Sequence, residues 1–225
     1  MITLQSSAMV ASNIPQSIVY SGPTGLAANG DLLVLVASSY RQITSVSAGW
    51  DEVASIGSVG QWLKVLTRLY NDSQNNSCAL SYSAVDEGPV TAIGTCWRAT
   101  NGFQLTPVKS HTENTTNGSV ATSYALSSAL SNVTSDTLAI LIGGDADSYR
   151  NSLTCGASGT NWNAINAWST LDYGHGVIAT YLSTGTTSVP NVTFSVSKST
   201  TKFAAGLVLQ ENAAGPVSYG LFGAQ

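Results

Sequence analysis

The chain has 225 residues and a formal net charge of −4, from eight Lys and Arg against twelve Asp and Glu. Charged residues make up only 9%, against the roughly 25% usual for globular domains, while apolar residues reach 43%, enough to fill a core. No basic run exists to neutralise phosphates, which excludes nucleic acid and an anionic membrane surface as partners. No apolar stretch approaches the ~20 residues that cross a bilayer as a helix, and no basic start followed by an apolar core marks a signal peptide.

Ser, Thr, Asn and Gly supply the polar surface in place of charge. That disfavours solvated helices, whose outer faces use Glu, Lys and Arg. It favours strands and turns.

Residues 1–28 read as an N-terminal arm. They hold an extended stretch at 2–10, a break at Pro15, a second short stretch at 17–20 and a turn-rich connector at 21–25. Asn29-Gly30 is a tight-turn signal. Residues 31–37 are nearly continuously apolar, as in a strand buried on both faces. Residues 61–70 alternate, with Leu63, Val65 and Leu69 on one face and Lys64 and Arg68 on the other. Turn signals on both sides favour strand over helix there.

Residues 92–100 and 202–210 carry Gly94 and Gly206 at matching places, the mark of a bulge or a close neighbour. A polar stretch at 110–123 lies between them, as an exposed strand pair or a loop. Residues 212–225 form a tail whose Tyr219, Leu221 and Phe222 either pack on the domain or dock on a partner.

Four segments recur in order. Asp31-Leu32-Leu33-Val34 is echoed by Asp136-Thr137-Leu138-Ala139, an offset of 136 − 31 = 105. Trp50 is echoed by Trp162 at 112, residues 80–83 by 194–197 at 114, and residues 92–97 by 204–209 at 112. The pattern describes two internal repeats, at about 29–100 and 135–211. About a dozen strands at this spacing predict an all-β, jelly-roll-like β-sandwich in which each repeat contributes strands to both sheets.

Chemistry-bearing clusters are sparse. His111 and His175 have no His or Cys at ligand spacing, and no G-x-S-x-G elbow occurs. In Gly143-Gly144-Asp145-Ala146-Asp147, two carboxylates lie two apart after a strand, as at the start of a calcium loop. Position twelve of that loop is Gly156 and not an acid, which favours a solvated turn over a cation site. Asp51-Glu52 and Asp86-Glu87 are adjacent and would point to opposite faces of a strand. Cys78, Cys96 and Cys155 read as reduced thiols acting as small core residues. Six Asn-x-Ser/Thr sequons, the first at Asn71, read as turn chemistry. Trp50, Trp62, Trp97, Trp162 and Trp168 read as packing residues, with a sugar-stacking platform as the competing reading.

Gly30-Asp31-Leu32-Leu33-Val34, Ala48-Gly49-Trp50-Asp51-Glu52-Val53, residues 62–70 and Cys96-Trp97-Arg98 together resemble a family of bacteriophage virion β-sandwich proteins with repeated "GDLL" and "GW" elements. The likeness covers residues 29–211. The second copy departs from it with Asp136-Thr137 and Asn161-Trp162. The resemblance implies a head- or tail-attached structural protein with no catalytic residues and no cofactor.

The expectation is a non-enzymatic capsid decoration (cement) protein. It would be assembled in the host cytoplasm, docked on a major capsid or other virion protein, and self-associated, with a trimer favoured. Tyr219, Leu221 and Phe222 are the expected partner-binding residues. A carbohydrate-binding module is the alternative.

Overall fold

Sixteen strands and no helix make up the regular structure among the described residues. In this computed structural model these are residues 1–12, 17–20, 26–39, 41–58, 61–83, 90–104, 109–115, 121–124, 136–145, 155–169, 175–184, 189–196 and 202–213.

The first eight strands are β1 (Ile2–Ser12), β2 (Ser17–Tyr20), β3 (Leu32–Ser39), β4 (Ile43–Val46), β5 (Asp51–Ser58), β6 (Gln61–Leu69), β7 (Cys78–Tyr82) and β8 (Val90–Ala99). The second eight are β9 (Lys109–Thr115), β10 (Ala121–Tyr124), β11 (Asp136–Asp145), β12 (Cys155–Ser158), β13 (Trp162–Ser169), β14 (His175–Thr184), β15 (Val192–Val196) and β16 (Lys202–Gln210).

All pairings are antiparallel, in four sheets. The first half forms β1-β8-β3-β6-β5 and β2-β7-β4; the second forms β9-β16-β11-β14-β13 and β10-β15-β12. Adding eight to each strand number of the first pair of sheets produces the second pair.

The expectation that each repeat lends strands to both sheets is thereby corrected, since no sheet mixes the halves. The physical reason lies in what covers the large sheets. Leu32, Val34 and Val36 of β3 share one apolar cluster with Leu138, Ile140 and Ile142 of β11, and with Phe203, Leu207 and Leu209 of β16. The two five-stranded sheets therefore cover each other across a central core. The alternate residues Leu33, Leu35 and Ala37 pack with Leu80 and Tyr82 of the first small sheet. Ala139 and Leu141 pack with Val192 and Phe194 of the second. A middle-layer strand needs apolar side chains at every position, and β3 is buried along its whole length.

Facing also corrects the register of the repeat. Leu32, Val34 and Val36 correspond to Leu138, Ile140 and Ile142, an offset of 138 − 32 = 106. The Asp31-to-Asp136 match is one residue short, and a one-residue slip would exchange the two faces of the strand. The glycine match holds: Gly94 lies between Ala8 and Leu35 in the ladder, and Gly206 between His111 and Leu141.

Three further segments are now placed. Residues 61–69 are a strand, as the alternation predicts. Residues 1–28, read as an arm, contain β1 and β2, which pair with β8 and β7. The acidic segment at 143–145 lies inside β11 and not in a loop after it. A Cβ on Gly143 would come within 2.4 Å of the Phe194 ring, so this glycine lets the small sheet seat on the large one.

Ile140 is 1% exposed and sits in the central core. Ile140→Ala is expected to destabilise the chain by about 2–5 kcal/mol, read as a lowered denaturant midpoint with the β-type circular dichroism spectrum retained.

Candidate functional site

Polar chemistry concentrates at strand ends. At the entry to β3, the chain turns through Asn29 and Gly30, whose φ of 89° suits glycine. Asp31 follows, buried at 3% exposure. Its Oδ1 accepts from Arg98 Nε at 2.9 Å and its Oδ2 from Arg98 Nη2 at 2.8 Å, a two-pronged ion pair between strand neighbours. Oδ2 also accepts the Ala28 N–H at 2.8 Å, and Arg98 Nη2 donates to the Leu26 carbonyl at 3.0 Å. The bonds to Asp31 raise the guanidinium pKa further. The aspartate of the "GDLL" element is thus a latch that fixes the 26–31 turn onto β8.

In the second half the cross-strand pair at this place is Thr137 with Gln210. Both are buried, and neither Thr137 Oγ1 nor Gln210 Nε2 has a hydrogen-bond partner among the described residues. The halves share the topology but not the ion pair.

A second polar centre joins the halves. Glu211, 3% exposed, follows β16. Its Oε2 lies 2.6 Å from the Met1 ammonium and its Oε1 accepts the Asn101 N–H at 2.7 Å. Asp136 Oδ2 lies 3.1 Å from the same ammonium. The hydrogen bond to Glu211, and then the pull of Asp136, raise the pKa of the amine against partial desolvation. Asn212 adds Nδ2–H donation to the Asn101 carbonyl at 3.1 Å, and its N–H reaches the Gly102 carbonyl at 2.8 Å. Residues from both ends of the first half, from the start of β11 and from the end of β16 converge here. Nothing in the sequence pattern singles out Glu211, because its partners come from distant segments.

The tryptophans divide clearly. Trp50, Trp97 and Trp162 are buried and Trp62 is half-buried. Trp50 Nε1 donates to the Ser77 carbonyl at 3.2 Å, and Trp162 Nε1 to the Pro190 carbonyl at 3.0 Å. Each indole pins the segment entering β7 or β15. The preceding residues, Gly49 at φ 85° and Asn161 at φ 62°, share the left-handed conformation. Asparagine tolerates that conformation better than other side-chain-bearing residues. The Trp62 ring lies against Gly57, where a Cβ would come within 2.0 Å. Packing accounts for these four rings. The Trp168 side chain lies outside the described residues.

Cys78 and Cys96 are free and buried. Burial pushes the Cys78 thiol up and the Cys96 thiol to about 12, where the Asp31 carboxylate adds to the effect. Among the described residues no group of three or more His, Cys, Asp or Glu is placed to hold a metal. Asp51 and Glu52 are exposed at the start of β5, and Glu52 pairs with Lys64. Tyr219, Leu221, Phe222, Asp147, Asp86 and Glu87, and the side chains of His111, His175, Asp145 and Cys155, lie outside the described residues.

Two predictions follow from these contacts. Asp31→Asn should cost about 1–3 kcal/mol, as a charge-assisted pair becomes neutral. Arg98→Met should cost more, because it leaves a buried carboxylate uncompensated; paired denaturation curves test the order. Second, Cys78 and Cys96 should resist thiol reagents in the native state and react on unfolding. Because the folded thiol pKa is raised, its contribution to stability is complete below the unfolded value of 9.0 and is lost as pH rises from there toward 12. Melting temperatures measured from pH 8 to pH 11 should fall less steeply in Cys96→Ala than in the parent chain.

No family model, no curated protein and no solved structure matches this chain.

Proposed function

We propose that this chain is a non-enzymatic structural protein of a bacteriophage particle, a capsid decoration protein built from two jelly-roll-like units. The strand orders support the two-unit reading, because a shift of eight converts one half into the other. Within each half, neighbours in the order 1-8-3-6 and 2-7-4 follow the jelly-roll sequence, with the fifth strand attached to the larger sheet. Equivalent tryptophans tying equivalent segments support it further.

One observation carries the docking role. Seven large hydrophobic side chains stand exposed among the described residues, and five belong to the first thirty: Met1, Leu4, Met9, Val19 and Leu26. That stretch contains no charged side chain. The fold does not require this neutrality. The strand equivalent to β1 is β9, which carries Lys109, His111 and Glu113. Edge strands are ordinarily protected by charge, so an uncharged side with exposed apolar groups suits a permanent partner.

In this reading the side formed by β1 and β2 contacts the capsid. The tail with Tyr219, Leu221 and Phe222 adds a second contact, and self-association at a local three-fold site makes the protein a trimer. Burial of three of four described tryptophans disfavours the glycan-binding alternative.

The test is co-sedimentation of the purified chain with assembled capsids. The double variant Met9→Asp, Val19→Asp should keep its β-type spectrum and lose at least about tenfold in affinity, as charge on a buried contact would cause. Unchanged capsid binding by the variant, or glycan binding by the parent chain in place of capsid binding, would overturn the reading.

A further inference from the structure

The Glu211 carboxylate, in a residue 3% exposed, meets two partners among the described residues: the Met1 ammonium at 2.6 Å and the Asn101 N–H at 2.7 Å. No Lys or Arg side chain among those residues pairs with it. Its counter-charge is therefore the α-amine, and a carboxylate this deep is strongly unfavourable without one. An ammonium has three N–H donors. Three acceptors stand around this one: Glu211 Oε2, Asp136 Oδ2 at 3.1 Å and Thr100 Oγ1 at 3.3 Å. They come from the end of β16, the start of β11 and the connector after β8.

Backbone contacts fix the amine at that point. Ile2 is buried in the central cluster and is the register partner of Ala99. The Thr100 N–H donates to the Met1 carbonyl at 3.1 Å. Met1 is otherwise 73% exposed, so the halves use its charge and not its thioether.

The sequence carries an independent sign. The offset of 112 that relates residues 92–97 to 204–209 places Ala99 at the position equivalent to Glu211. Ala99 packs against the central cluster and carries no charge. The topology that the halves share therefore does not require an acid at this place. The acid accompanies the contact with the amine.

We propose that the Met1 α-amine is a modification-sensitive latch: free and protonated it ties the two halves through Glu211 and Asp136, and acylated it releases them locally. An acyl group turns the ammonium into an amide, with one N–H and no charge. Glu211 is then buried with the Asn101 N–H alone, and Asp136 faces the same point, so the two carboxylates repel. The release is confined to the start of β1, the connector after β8 and the end of β16, because the central core still closes the large sheets.

The test compares the full chain bearing a free amine with the same chain acetylated enzymatically at Met1, the site confirmed by mass, each with Glu211 and with Glu211→Gln. In the parent, acetylation should speed amide exchange at Asn101 and Asn212 at least about tenfold, as loss of a charge-assisted bond allows, and should lower the denaturant midpoint. The neutral amide of Glu211→Gln needs no counter-charge, so acetylation should change exchange in that variant by less than about threefold. If the acetylated parent does not fold, the acetylated Glu211→Gln chain decides: its folding upholds the latch and its failure to fold overturns it. The proposal also fails if acetylation leaves exchange at Asn101 unchanged, or if it acts equally on the parent and on Glu211→Gln.

Discussion

Everything in this fold depends on the burial of two five-stranded sheets against each other. A sheet with an apolar face must bury it, and a three-stranded partner covers one face of a five-stranded sheet only. Each large sheet here is apolar on both faces. One face is closed by the small sheet of its own half and the other by the large sheet of the opposite half. The halves are therefore topologically separate yet share a core. Neither half buries Leu32, Val34 and Val36, or Leu138, Ile140 and Ile142, without the other.

This arrangement accounts for the unusual composition. A four-layer stack places many strands in interior layers, where charge is costly. Polar work moves to strand ends, and there the few ionic groups are used intensively. One arginine satisfies both oxygens of Asp31 and also reaches the Leu26 carbonyl. One glutamate ties the Met1 ammonium and the Asn101 N–H, holding the start of β1, the connector after β8 and the end of β16 together.

Strand locations were largely legible in the sequence, because local signals determine them. The continuous apolar run of β3 announces burial on both faces, and the alternation at 61–69 announces a strand. The tryptophan turns were legible as equivalent anchors, and the structure adds why Asn161 replaces a glycine there. The assignment of strands to sheets was not legible. Whether the halves share sheets or stack them depends on pairings between distant residues, and both arrangements bury the same apolar set. The register error has the same origin. Asp31 and Asp136 are identical residues, whereas side-chain facing pairs Leu32 with Leu138. The polar centres were least legible: Asp31 and Arg98 are 67 residues apart, and Met1 and Glu211 are 210 apart.

The differences between the halves are as informative as their likeness. Where the shared topology requires a property, both halves have it: double-faced apolar middle strands, a buried indole tying the same segment, and a left-handed residue before it. Properties found in only one half are not imposed by that topology. The Asp31–Arg98 latch becomes Thr137 and Gln210, and the uncharged β1 becomes a β9 bearing Lys109, His111 and Glu113.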